Sequence, residues 1–446
     1  RQDGRIEVAK HYADLVRQRF LRQRTLAAEP NLFTELADLA YPDDDAFVKA
    51  MVSASLPRWS GDPGTDDPAS LRLARELATR MPDAIPVQRL LANHLHATEH
   101  YGQALAVREE LARRQPENKQ LIVEKLTTLR RLYRYRDAIA AADQLAKLMP
   151  SADLAKGIKL DVLVQAGEAE QGLKLLKELE PRWKPELTRR MKIRLSAAKG
   201  DQARLLVLAS ETLKDEKATA FQRVSLIGSL RHAGLHERAL ELAEISCAKD
   251  ASKLAIGELC EQLLYTGELE EARDAFDRLA GAGDYKGLSA HYLACLGVAL
   301  GRFDAAERIF AETLRKLDID SKIYGELFIG VCRIMRGETK AGKEAIARAN
   351  AWQYDEIWPK PVLQYFAGKA TLKDMIAAAK LAETPTQRDQ FLCEAYFYAA
   401  INAHMAGDKT KYKLFLRQAA DMRSYLTMEC AMAHGLLGIK APPDGK

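Results

Sequence analysis

Cysteine does not occur before Cys247, and the six that follow (Cys247, Cys260, Cys295, Cys332, Cys393 and Cys430) include no C-x-x-C pair. That removes the commonest zinc and dithiol patterns. Most of the six lie in apolar stretches such as Tyr292-Leu-Ala-Cys295-Leu. A thiol there reads as a small buried hydrophobe in a reducing compartment. No run of eighteen apolar residues exists, so no transmembrane helix is expected. The first residues hold no apolar signal-peptide core. Because the sequence begins at Arg1, removal of an upstream segment stays open. The expected location is therefore cytoplasmic, with a periplasmic or membrane-anchored protein as the alternative. Signature motifs of catalysis are also missing: no H-E-x-x-H, no G-x-x-x-x-G-K-[ST] and no G-x-S-x-G. No enzyme, cofactor or metal is expected.

Near misses do not change that reading. Gly281-Ala-Gly283-Asp-Tyr-Lys-Gly287 follows a helical stretch, not a strand, and reads as a linker rather than a phosphate loop. His94 and His96 point to different sides of a helix. His232 and His236 are interrupted by Gly234, which places a turn between them. The net charge of +5 is small for 446 residues; it permits a basic patch and does not call for nucleic acid as a partner.

What is present is a repeat. Pro82, Pro116 and Pro150 are spaced by 34 and 34 residues. Gly167, Gly200, Gly234, Gly267, Gly301 and Gly337 are spaced by 33, 34, 33, 34 and 36, and Gly407 follows after 70. The spacing predicts helical hairpins in which glycine ends the first helix in a left-handed conformation and proline stops the second. A small residue such as Ala104, Ala138, Gly172 or Ala239 opens each second helix, where the two helices approach closely. The prolines predict helices over Leu71–Met81, Ala104–Gln115 and Ala138–Met149.

These residues resemble the tetratricopeptide repeat family. Leu91-Ala92, Leu95, Tyr101, Ala104 and Pro116 stand at that family's spacing, as do Gly267, Ala272 and Phe276, and Phe303, Ala306 and Phe310. The family's signature Trp is missing, so the copies are degenerate. The resemblance implies an all-α, right-handed α-solenoid of helix-turn-helix repeats. The array is expected over 68–350, with the copy near Leu187–Leu213 least regular. Lead helices are expected within 1–60, and an exposed loop over Ser60–Pro68. Ala441–Lys446 is expected to fray.

From Trp352 the rhythm changes. Trp358-Pro-Lys-Pro-Val-Leu-Gln-Tyr-Phe-Ala-Gly368, Cys393-Glu-Ala-Tyr-Phe-Tyr398, Gly407-Asp408, Phe415 and Glu429-Cys-Ala resemble the closing module of the NlpI family of bacterial outer-membrane lipoproteins. That resemblance implies a capping module over 351–440, a bacterial origin, and an adaptor role for envelope proteases and peptidoglycan enzymes. Trp358, Tyr396, Phe397 and Tyr398 are expected to fill the module's core, because a terminal repeat must close its open face.

In such arrays the first helix of each pair lines the binding face. The repeat phase places Arg89, Asn93, His96, Arg130 and Arg131 there, followed by Arg190 and Arg194. An acidic or carboxylate-bearing protein or peptide segment suits these residues through charge-assisted hydrogen bonds. Farther along, the same positions hold Tyr265, His291, Cys295 and Tyr324, a more apolar strip. The carboxylate clamp of chaperone-binding repeat proteins is incomplete. Arg89 and Asn93 match its first pair, but Thr127, Leu154 and Ile158 replace the later polar residues. The expected function is a bacterial scaffold or adaptor holding a partner protein. Alternatives are the recognition arm of a larger enzyme, such as a glycosyl- or methyltransferase, and a helical-repeat RNA binder. Self-association stays open.

Overall fold

The computed structural model describes residues 69–444, apart from 99, 151–152, 216–217, 250–251, 282–289, 315–319, 353–357 and 426. The expected lead helices, the Ser60–Pro68 loop and most of the Gly281–Gly287 linker lie outside the described residues. Those residues form helices and no strand. The chain divides into two compact units, 1–132 and 133–446.

Within the first unit, α1 (Ala69–Arg80), α2 (Ile85–Ala97), α3 (Tyr101–Arg114) and α4 (Lys119–Arg131) pack in sequence. Pro82 and Pro116 fall just beyond α1 and α3, as the sequence predicts. Leu71, Leu95 and Ala104 form the buried contact between α1 and the α2/α3 hairpin. Between α2 and α3 the sequence has no glycine, and Thr98 Oγ1 donates to the His94 carbonyl at 2.8 Å.

The second unit opens with α5 (Tyr135–Leu148). Six hairpins follow: α6 (Asp153–Gln165) with α7 (Ala169–Leu179), α8 (Pro185–Lys199) with α9 (Gln202–Lys214), α10 (Ala220–His232) with α11 (His236–Lys249), α12 (Lys253–Thr266) with α13 (Leu269–Gly281), α14 (Ala290–Ala299) with α15 (Phe303–Leu314), and α16 (Asp320–Met335) with α17 (Thr339–Trp352). The periodic glycines from Gly167 to Gly337 form the six turns, all at φ between 71° and 86°. After each one the next N–H reaches back to the first helix, as Glu168 N does to the Leu163 carbonyl at 2.9 Å and Glu338 N to the Arg333 carbonyl at 2.9 Å. This bond satisfies a carbonyl that the helix end leaves open. One period before Gly167, Tyr133 takes the same left-handed conformation at φ 58°. The small residues behave as the spacing predicts: Ala138, Ala239, Ala272 and Ala306 are fully buried. The copy expected to be least regular, α8/α9, keeps the glycine turn, with Gly200 at φ 71°, but its two helices pack least closely of the six pairs.

Beyond α17 come α18 (Lys360–Phe366), α19 (Leu372–Ala379), α20 (Pro385–Met405), α21 (Lys409–Asp421) and α22 (Met428–Leu437). Gly407, at φ 75°, turns the α20/α21 hairpin. The first helices α6, α8, α10, α12, α14 and α16 touch one another in succession and form one wall. The C-terminal helices fold back on it: α22 packs on α12 and α14, and α20 packs on α16. At Gly435 a Cβ would stand 2.2 Å from the Ala299 carbonyl oxygen, so the α22–α14 approach requires glycine. A single core runs from Cys260 through Trp358, Phe397 and Tyr398 to Ala433, whereas α6–α11 hold two smaller clusters. Trp358, Phe397 and Tyr398 are core residues, as expected; Tyr396 is only partly buried.

The tail differs from its expectation. Ala441 N donates to the Tyr265 carbonyl at 2.8 Å. The Asp444 carboxylate accepts from Glu237 N at 3.1 Å and Arg238 N at 3.3 Å. These are open donors in the first turn of α11, where a carboxylate is favoured. Through Asp444, therefore, the segment does not fray.

Candidate functional site

In the first unit, the residues singled out by repeat phase form a network. Arg89 donates from Nε to Glu124 Oε1 at 2.8 Å and Oε2 at 3.1 Å. Its neighbour Arg108, on α3, was not evident from phase because it belongs to a second helix. Arg108 is 4% exposed. It donates to Asn93 Oδ1 at 3.0 Å, to the Glu124 carbonyl at 2.8 Å and to Thr128 Oγ1, and lies 3.3 Å from His96 Nδ1. Burial lowers its pKa, Glu124 opposes that shift, and Arg89 adds to it. The polar groups of Arg89, Asn93 and His96 are thus engaged within the fold. Arg130 and Arg131 end α4, half-buried and exposed respectively.

The apolar strip expected farther along is apolar but covered. Tyr265 is 0% exposed, with its ring 4.9 Å from His236, 5.3 Å from Tyr425 and 5.4 Å from His434. It belongs to the core beneath the C-terminal helices and offers nothing to a partner. Cys295 is equally buried. Tyr324 OH donates to Glu394 Oε2 at 3.0 Å, and Trp358 Nε1 donates to the same oxygen at 2.7 Å. Burial, then nearby Glu429, pushes the Glu394 carboxyl well above the usual range. Tyr398 OH donates to Glu429 Oε1 at 3.0 Å. His291 lies in α14, and its side chain is outside the described residues.

The remaining pair, Arg190 and Arg194, sits one turn apart on α8, and both line a cavity of about 480 Å³. Its walls come from α6, α8 and α10, from Tyr135 at the start of α5 and from the start of α20. Three arginines line it (Arg190, Arg194 and Arg231), with no Asp or Glu. Arg194 pairs with Asp161 at 2.8 Å. Arg231, its side chain 11% exposed, holds Glu258 at 2.9 Å and Glu261 at 2.6 Å. Neither Asp161, Glu258 nor Glu261 lines the cavity. His232 is held neutral, its pKa lowered to about 4 by burial and then by Arg231. Ser229 Oγ donates to the Ser225 carbonyl at 2.9 Å, so its proton is committed to its own helix.

The α20 side was not anticipated from sequence. Thr384 caps the helix by accepting from Gln387 N at 3.2 Å, and Pro385 follows in the first turn. Thr-Pro-x-Gln is visible as a helix start. That its start faces α8 and α10 across one cavity is a tertiary fact with no local signal. Gln387 is 4% exposed, lines the cavity, and its Oε1 has no protein hydrogen-bond partner.

No protein-family model and no curated protein sequence matches this chain. Among solved structures, the chain is similar to a complex titled Naa15/Naa10 bound to HypK-THB, at 15% identity and TM-score 0.35, covering 94% of this chain and 71% of that one. Yeast Tom70 aligns at 11% identity and TM-score 0.32, covering 83% and 91%. The maize pentatricopeptide repeat protein PPR10 aligns at 12% identity and TM-score 0.36, covering 92% and 71%. The assignment to helical repeats rests on the hairpins described above. Among the described residues no helix is long and apolar enough to cross a membrane, and no three His, Cys, Asp or Glu gather to hold a metal ion.

Proposed function

We propose that this chain is a non-catalytic helical-repeat scaffold that holds a segment of a partner protein at the α6/α8/α10/α20 cavity. The observation that carries the reading is the division of the first-helix wall. From α12 onward the chain's own α20 and α22 cover it, and beside that cover lies a cavity faced by arginine and hydrogen-bonding side chains. Such a lining suits recognition: it has donors and acceptors, and the Ser229 hydroxyl is committed to its own helix. An envelope-protein adaptor, suggested by the resemblance of the module over 351–440 to the NlpI family, is a narrower form of the same reading.

A photo-crosslinking amino acid at Thr386, inside the cavity, tests it against one at Leu414, which is 52% exposed on α21. The expected outcome in the native host is one dominant protein adduct from position 386 and none of that mass from 414. Identical adduct patterns from both positions would count against the cavity as the docking site.

A further inference from the structure

We propose that Cys393 and Cys430 are a peroxide-sensitive thiol pair whose oxidation to a disulfide staples α22 to α20. This stands independently of the scaffold reading.

The geometry starts at the N-terminus of α22. Thr427 is the capping residue and Cys430 holds the third helical position, where a side chain ordinarily reaches back toward the cap. The Thr427 hydroxyl makes no bond to its own helix. It donates to the Ser424 carbonyl at 2.8 Å and lies 3.5 Å from Cys393 Sγ. Cys393, which also donates to the Ala419 carbonyl at 3.4 Å, is thereby held at the mouth of α22. There its thiol meets that of Cys430.

Two further polar groups converge on Cys430. The Tyr265 hydroxyl and His434 Nε2 lie beside it, both buried and both without another hydrogen-bond partner. His434 follows Cys430 by one turn on the same face of α22. Its Nδ1 lies 3.2 Å from the Ile439 carbonyl, which can only accept, so Nδ1 carries the proton and Nε2 a lone pair. Nε2 can therefore take the Cys430 proton, and Tyr265 can donate to the sulfur left behind. The open N–H groups of the first turn favour the same negative charge. Burial pushes the Cys430 thiol up, but Cys393, then His434 and Tyr265, bring it down to about 6. Cys393, raised by burial and then by Cys430, stays a thiol. Burial likewise raises Cys260, Cys295 and Cys332. One activated sulfur beside one protonated sulfur is the arrangement that an attacking and a resolving cysteine require.

Both residues are 0% exposed. The oxidant is accordingly small and uncharged, hydrogen peroxide, admitted by local opening. The Cys430 thiolate attacks one peroxide oxygen: the S–O bond forms, the O–O bond breaks, and hydroxide leaves as water with the proton held by His434. The Cys393 sulfur then attacks the Cys430 sulfenic acid. The S–S bond forms, the S–O bond breaks, and the hydroxyl departs as water with the Cys393 proton. Two thiols and one peroxide give one disulfide and two waters. A dithiol reverses the change by exchange and itself becomes the disulfide. Cys393 stands one turn beyond Gln390, so the staple holds the same helix whose start lines the cavity.

The test exposes the reduced full chain to a small excess of hydrogen peroxide. Catalase stops the reaction, the chain is denatured and alkylated, and linked peptides are identified by mass spectrometry without reduction. The expected product joins Cys393 to Cys430, and forms about tenfold faster than any oxidation at Cys260, Cys295 or Cys332. Cys393→Ser should stop at a Cys430 sulfenic acid, captured by dimedone added with the denaturant. His434→Gln cannot take the thiol proton and should slow the disulfide by about tenfold, with an unchanged thermal melt as the folding control. Should that variant melt early, the ranking of thiols in the unsubstituted chain decides alone. Reduced Cys393 and Cys430 in a chain already oxidised at the half-buried Cys247 would overturn the proposal. So would an unchanged rate in a well-folded His434→Gln, or a Cys430 that halts at an acid with Cys393 present.

Discussion

Four buried carboxyl groups, Glu258, Glu261, Glu394 and Glu429, are held inside the second unit by one arginine, three tyrosines and a tryptophan. Glu394 is the most informative, because burial favours its neutral form. Glu394→Gln keeps an acceptor for Tyr324 and Trp358 and is expected to change stability by less than about 1 kcal/mol. Glu394→Ala strips both donors and is expected to cost about 2–4 kcal/mol in denaturant unfolding. His236 allows a pH test. It is 2% exposed, and burial, then His434 and Arg231, lower its pKa to about 3. Its folded pKa lies below the unfolded value of 6.5, so the unfolded chain binds the extra proton between those limits. This group therefore destabilises the fold as pH falls below about 6.5, by up to about 1.4 kcal/mol per pH unit. Glu261 and Glu429 are shifted upward by burial and act in the opposite sense as pH rises. The comparison must accordingly be with His236→Phe: the wild-type minus variant difference should change steadily as pH drops from 6.5 toward 4 and level off to a constant above about 7.5. A constant difference across that range would show that the imidazole does not titrate on unfolding.

At the level of the elements, the turn glycines were readable because their conformation is a local demand: a left-handed residue after a helix favours glycine at one fixed phase. Tyr133 shows where that logic ends. Its backbone adopts the glycine conformation, yet its ring packs edge-on against Phe391 with centroids 5.4 Å apart. A side chain recruited by a distant helix occupies a position the repeat reserves for glycine. Arg190 and Arg194 were legible as a pair on a first helix. Tyr265 was placed on that same wall by phase, but phase carries no information about what later covers the wall. Two substitutions follow from the covering helices. Gly435→Ala should push α22 from Ala299 and lower the melting temperature, since a backbone carbonyl cannot yield as a side chain can. Asp444→Ala should lose the cap on α11, costing about 0.5–2 kcal/mol, with faster amide exchange at Glu237 and Arg238 as the local readout. Unchanged exchange at those amides would show that Asp444 does not cap α11.

Across the second unit, fold class and function part company. Helical hairpins with their turns could be derived from period alone. The working surface depends on which part of the wall the remaining chain leaves uncovered, and that is a long-range property. A chain shortened to remove residues 353–446 is expected to expose the faces of α12, α14 and α16 on which α20 and α22 pack, including the surroundings of Cys295 and Tyr265. Apolar surface of that extent favours self-association. Size-exclusion chromatography should show the shortened chain as aggregate; a well-folded monomer would mean that the C-terminal helices are dispensable.

Because Asp444 stoppers the start of α11 and Ala441 is tethered to Tyr265, segment 441–444 behaves as a latch on the array. Cargo or a label inserted directly after this segment would pull on the α11 and α12 region, so a reporter mounted there would also perturb whatever it was meant to observe.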